Sequence, residues 1–155
     1  MLFVSRFAPA VGTLAVGQVV LARANTTASA PGIATRPTAL AANQSGMVLV
    51  VGTHGCCAPQ FAGRKVAGQA LTASTSDAFA LMLSPDMRER PLWTTFGLGS
   101  ASRGTAAALS GKQAAFIAVQ TTSDAATAAM PQYRPLQSVP TGLGTEVYLA
   151  AWPTQ

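Results

Sequence analysis

Apolar and polar positions along this chain fall in short runs bounded by Gly and Pro, and the densest apolar run is Met47 to Cys57 (Met-Val-Leu-Val-Val-Gly-Thr-His-Gly-Cys-Cys). Its β-branched residues are not interrupted by polar residues at alternate positions, which predicts a strand buried on both faces. Gly52 and Gly55 offer the backbone freedom for a tight reversal, and Pro59 forbids a helix starting just after it. Upstream, Thr13 to Leu21 reads as a strand preceded by an extended arm, and Asn25 to Ser45 as an exposed connection with a short strand near Ile33. Downstream, a loop over 58–68 leads to a short strand over 69–74. Phe79 to Leu83 suits either a strand or a helical turn begun at Ser76 or Asp77.

Ser84, Pro85 and Asp86 place a hydroxyl, a proline and an acid where a helix start wants them, so a short helix is expected over Pro85 to Arg90, stopped by Pro91. Leu92 to Phe96 is a strand, Gly97 to Gly111 a flexible Gly-, Ser- and Ala-rich loop, and Ala115 to Thr122 a strand with a helical rival over 113–120. One helical turn from Ser123 to Ala129, an extended loop from Met130 to Pro140 and a closing strand from Thr145 to Trp152 complete the chain. The pattern predicts an all-β class: a single β-sandwich or barrel domain with one or two short helical turns and an extended N-terminal arm. Residues 1–45 would form the arm with its strand and its Pro-, Ser- and Thr-rich connection, and 46–155 the β domain.

Composition sharpens this picture. Charged residues are 10% of the 155, against about 25% in an average globular protein, and Ala, Thr, Ser and Gly take their usual surface places. A surface so poor in charge is weakly defended against association, which predicts that much of it lies against other copies or a larger assembly. The net charge of +5 permits an acidic partner, but the bases are scattered. Only Arg64 with Lys65 and Arg88 with Arg90 come close together, and no aromatic residues interleave with them. Direct nucleic-acid binding is therefore not expected. The run Phe7 to Leu21, ending in Ala22, Arg23 and Ala24, has the outline of a secretory signal, but Pro9, Gly12, Gly17 and Gln18 interrupt its apolar core, and a strand is the preferred reading. The run is too short and too broken for a membrane-spanning helix.

Candidate chemistry is sparse. Cys56 and Cys57 are the only cysteines and adjacent, which suits buried thiols rather than a disulfide framework. His54 with these cysteines offers three ligands within four residues, too close together to surround a tetrahedral metal ion. The acids Asp77, Asp86, Glu89, Asp124 and Glu146 fall mostly in turn or cap contexts, and no G-x-S-x-G elbow exposes a nucleophile. Gly52 to Gly55 lacks the lysine and following helix of a phosphate loop. No catalytic residue, metal or cofactor is expected. Asn25 and Asn43, both in N-x-[ST] sequons, bear on the outcome only for a secreted chain.

In size and overall character, across its whole length rather than through any motif, the chain resembles the structural proteins of tailed-phage particles, in particular capsid decoration (cement) proteins. That resemblance implies a non-enzymatic homo-oligomer resident in the virion, bound to the major capsid protein or other virion proteins, with no direct contact to nucleic acid or membrane. Leu2, Phe3 and Phe7 in the arm, and Tyr133 and Arg134 in the late loop, are the candidate contact residues. A secreted or surface β domain beginning near Asn25, or an accessory subunit of a large complex, are the alternatives.

Overall fold

The strand expected to be buried on both faces sits in the interior of the largest sheet. The computed structural model describes residues 2–20, 33–55, 65–66, 69–70, 76–96, 102–111, 114–121 and 146–152, and all regular structure within them is β. β1 (Leu2–Ala8) and β2 (Thr13–Val20) form an antiparallel hairpin. β3 (Thr35–Ala42), β4 (Val48–Gly55), β7 (Ser76–Leu83) and β8 (Leu92–Phe96) make a four-stranded antiparallel sheet in the order β3-β4-β7-β8. Between β4 and β7 in sequence comes a separate short antiparallel pair, β5 (Lys65–Val66) and β6 (Gln69–Ala70). A three-stranded antiparallel sheet, β11-β10-β9, is built from β9 (Ser102–Ser110), β10 (Ala114–Thr121) and β11 (Glu146–Trp152).

Because side chains alternate across a strand, β4 and β7 each feed two cores. One face carries Leu49, Val51, Ala78, Ala80, Met82 and Leu92, against which Ala107 and Leu109 of β9 pack. The other carries Val48, Val50, Phe79, Leu81 and Leu83, covered by Leu2, Val4 and Val20 of the hairpin together with Met87. Each fully buried Leu, Val or Phe contributes about 1.5–3 kcal/mol of transfer free energy, so these two interleaved strands dominate the stability of the described fold.

The hairpin replaces the expected N-terminal arm. Gly12, at φ 63°, closes its turn, and alternation then buries Leu2, Val4 and Val20 on one face. The connection expected over 25–45 contains the eight-residue edge strand β3. Pro37, which lacks an N–H to donate, is tolerated there because the register shifts between Pro37 and Ala39, leaving Thr38 as the extra residue of a bulge. Thr38 Oγ1 donates to Val51 O at 3.2 Å and to Gly104 O, tying the bulge to β4 and to β9. The loop expected over 97–111 likewise holds β9, whose inward residues are Ser102 and Gly104 before its own bulge and Ala107 and Leu109 after it.

Nor does Gly52 reverse the chain, since β4 runs through it to Gly55. Gly52 is there for close approach: a Cβ on it would lie 2.1 Å from Arg36 O, 2.8 Å from Pro37 Cα and 2.9 Å from Phe79 Cε1. From the opposite face Gly104 rests on the Gly52 main chain, where an added Cβ would come within 2.9 Å of Gly52 N. Asn43 fastens the other end of the same two layers. Its Nδ2 donates to Gly111 O at 2.5 Å, and its Oδ1 accepts from Met47 N at 3.1 Å.

The expected helix over Pro85 to Arg90 is a turn instead. Met87 adopts φ 59°, a left-handed conformation that no helix continues. Met87 N donates to Ser84 O at 2.8 Å and Ser84 N to Glu89 O at 3.1 Å, closing a loop in place of a helical ladder. Ser84 still serves as a cap of that loop, accepting from Glu89 N at 2.9 Å and donating to Asp86 Oδ1 at 2.6 Å. The Ser84 hydroxyl, and after it the Arg88 N–H, hold the Asp86 carboxyl below its usual value of 3.8. A lowered folded-state value means that this contribution is present above pH 3.8 and lost as the pH falls through the lowered value. Ser84→Ala removes the acceptor of the Glu89 N–H, an expected loss of about 1 kcal/mol at neutral pH. Urea melts should show the difference between Ser84→Ala and wild type shrinking in strong acid. The helical turn expected over 123–129 lies outside the described residues.

Candidate functional site

Two places in the fold hold the residues from which a function would be built. The first is a polar row at the end of the central sheet. His54 and Asp77 are register partners across β4 and β7, on the same face as Val50 and Phe79. Their exposures are 2% and 0%, so both are fully withdrawn from water. Gly52 leaves room beside them for the Phe79 ring, whose centroid lies 6.1 Å from that of His54 at a 30° tilt. His54 Nδ1 faces Gly55 O at 2.8 Å, an arrangement satisfied when that nitrogen carries the proton. Nε2 of His54 and Oγ1 of Thr95, also buried, find no hydrogen-bond partner among the described residues.

His54 thus stands inside a strand rather than in the tight turn expected for it, and its cross-strand neighbour is an acid far away in sequence. Cys56 and Cys57 lie outside the described residues. Among the described residues no group of three or more His, Cys, Asp and Glu side chains gathers where a metal ion could be held. Asp86 and Glu89 belong to the turn after β7 and are exposed, remote in the sheet register from the His54 row. The described residues therefore set one imidazole and one carboxylate opposite each other across β4 and β7.

The second place is the outward face of the β1–β2 hairpin. The pairs Phe3 with Val19, Ser5 with Gly17 and Phe7 with Leu14 share this face. Phe3, Phe7, Leu14, Val19 and the turn residue Val11 are 55%, 60%, 53%, 49% and 68% exposed. Gly17 lets the Phe3 ring lie across β2, because a Cβ there would stand 2.8 Å from Phe3 Cζ, in space the ring occupies. Arg6 is the only charged residue from 2 to 20. It is turned away from this face, its Nη1 3.3 Å from where a Cβ on Gly46 would stand, beside the β3–β4 turn. Of the candidate contact residues, Phe3 and Phe7 lie on this outward face, while Leu2 is buried against the central sheet. Tyr133 and Arg134 fall outside the described residues. Leu14, Val11 and Val19 were not among the candidates, although continuing the alternation of Phe3 and Phe7 through the Pro9–Gly12 turn would have found Leu14 and Val19.

Other exposed features are slighter. Arg90 stacks over the Trp93 ring at 5.1 Å, and the Arg88–Asp86 pair is a solvent-exposed contact at 4.0 Å, worth little to stability. Among the described residues no helix is long and apolar enough to cross a membrane. The sequence matches no protein-family model and no curated protein.

Proposed function

We propose that the chain is a non-enzymatic structural protein of a virus particle, of the capsid decoration type, whose sheets form a β-sandwich and which works by contact with other protein. The observation that carries this reading is the uncharged apolar face of the hairpin, turned to solvent in a chain with only 10% charged residues. A water-facing sheet surface normally alternates apolar-in with polar-out. Here the outward positions of β1 and β2 are as apolar as the inward ones, a pattern suited to a surface that is covered in its working state. The buried His54 and Asp77 serve this reading as core polar residues rather than as reacting groups. The major capsid protein or another virion protein is the proposed partner, each contact being weak and many copies acting together.

The test is biochemical. Virus particles produced with an epitope-tagged copy of this chain and purified on a density gradient should carry the tag in a fixed ratio to the capsid subunit. Recovery of the tagged chain only in the unassembled fractions would contradict the proposal.

A further inference from the structure

We infer that the outward face of the β1–β2 hairpin is a self-association surface, and that its occupant is the same face of a second copy of this chain. The inference rests on the reading of the chain as a protein that works by protein contact, and adds which surface is used and what covers it. Phe3, Phe7, Val11, Leu14 and Val19, about half to two-thirds exposed, together present roughly 500 Å² of apolar surface. A standard interface buries about 800 Å² per partner, so this patch is large enough to be the apolar centre of one, with the hairpin edges as its rim. An area of this size, left bare, would be near the upper end of what a typical monomer exposes.

Charge selects the occupant. The whole molecule carries +5, so two copies repel wherever their bases face each other. The hairpin face is free of charge, with Arg6 turned away, and is therefore where two identical cations can meet without like charges opposed. Nucleic acid or an anionic lipid surface would need cations here, and the face has none. Its shape suits a two-fold pairing. In an isologous contact every residue appears twice, and the face has Ser5 at its centre between the pairs Phe3–Val19 and Phe7–Leu14, with the Phe3 ring lying over Gly17. A half-turn about that centre sets one copy's bulky ends over the other's. A two-stranded hairpin alone is marginal in water, so covering its second face also stabilises the element that makes the contact.

Light scattering on the full chain tests this directly. Wild type is expected as a dimer, or a multiple of one, at micromolar concentration, with Phe7→Asp and, separately, Leu14→Asp weakening association at least ~10-fold. Circular dichroism should be unchanged, since both side chains are exposed. Val19→Lys, on the adjoining strand, should act in the same direction. A monomeric wild type, or association that all three substitutions leave unchanged, would overturn the inference. The latter result would leave the particle-protein reading standing, because the contact would then lie elsewhere. If wild type stays monomeric but floats with vesicles of neutral phosphatidylcholine, and Phe7→Asp abolishes flotation, the occupant is lipid and the inference fails.

Discussion

Gly52→Ala is expected to cost at least about 3 kcal/mol, because the new methyl group has nowhere to go. Its Cβ would stand 2.1 Å from Arg36 O and 2.8 Å from Pro37 Cα, both main-chain atoms of the neighbouring strand held by the Thr38 bulge. A third obstacle, Phe79 Cε1 at 2.9 Å, belongs to a buried ring. Relief on the opposite side is closed as well, since Gly104 of β9 packs there against the Gly52 main chain. A domain of ordinary stability has about 5–15 kcal/mol in hand, so this one methyl group should remove a large share of it. Urea denaturation of Gly52→Ala beside Gly12→Ala makes the comparison: Gly12 has nothing within 4 Å and only its φ of 63° to lose, a cost of about 1–2 kcal/mol. Equal losses at the two positions would show that β3 does not cross Gly52 as described.

Phe79→Ala is the second large effect, with an expected loss of about 3–5 kcal/mol. The ring is 2% exposed and belongs to the cluster of Val48, Val50, Leu81 and Leu83 that the hairpin covers. Its neighbour across β4 is Gly52, which has no side chain to fill the vacated volume, and its neighbour across β8 is Thr95. On its own strand its same-face neighbours are Leu81 and Asp77, and Asp77's register partner His54 stacks obliquely against the ring. The cavity would therefore open beside a buried imidazole and a buried carboxylate and admit water to them, so collapse cannot recover much of the loss. By contrast Phe3→Ala should leave monomer stability within about 0.5 kcal/mol, because that ring lies on the exposed face. Chemical denaturation of both variants, with the loss confined to Phe79, is the expected result.

What could be read from the sequence depended on side-chain bulk. β4, β8, β10 and β11 announce themselves through Val, Ile, Phe, Tyr and Trp, residues that favour a pleated, packed surface. Phe79 to Leu83 suited a strand or a helical turn equally, and it is the end of a strand, β7, that opens at Ser76. β3 and β9 were hidden because close packing selected small residues for them. Gly104 must sit on the backbone of Gly52, and Pro37 must stand at a bulge. Such residues read as loop whenever the neighbouring strand is unknown. The Ser84-Pro85-Asp86 pattern misled for a related reason: the same hydroxyl caps a helix or closes a turn, and Met87 at φ 59° decides the matter.

The candidate site was legible in halves. Phe3 and Phe7 were named as contact residues from their place near the N-terminus, but the face they share with Leu14 and Val19 exists only once the hairpin register pairs them. Leu2 was grouped with them, though strand alternation sends it to the opposite face. His54 drew notice as the lone histidine beside two cysteines, whereas its neighbour across the sheet is Asp77, set by a pairing that no local pattern encodes.

At the centre of the account stands the proposal that the apolar, uncharged outward face of the β1–β2 hairpin pairs with the same face of a second copy of this chain. Sedimentation velocity of the untagged wild-type chain from about 1 to about 100 μM tests it most directly. A sedimentation coefficient that rises with concentration toward that of a dimer or larger multiple is the predicted result. A single species of 15.7 kDa across the whole range would contradict it.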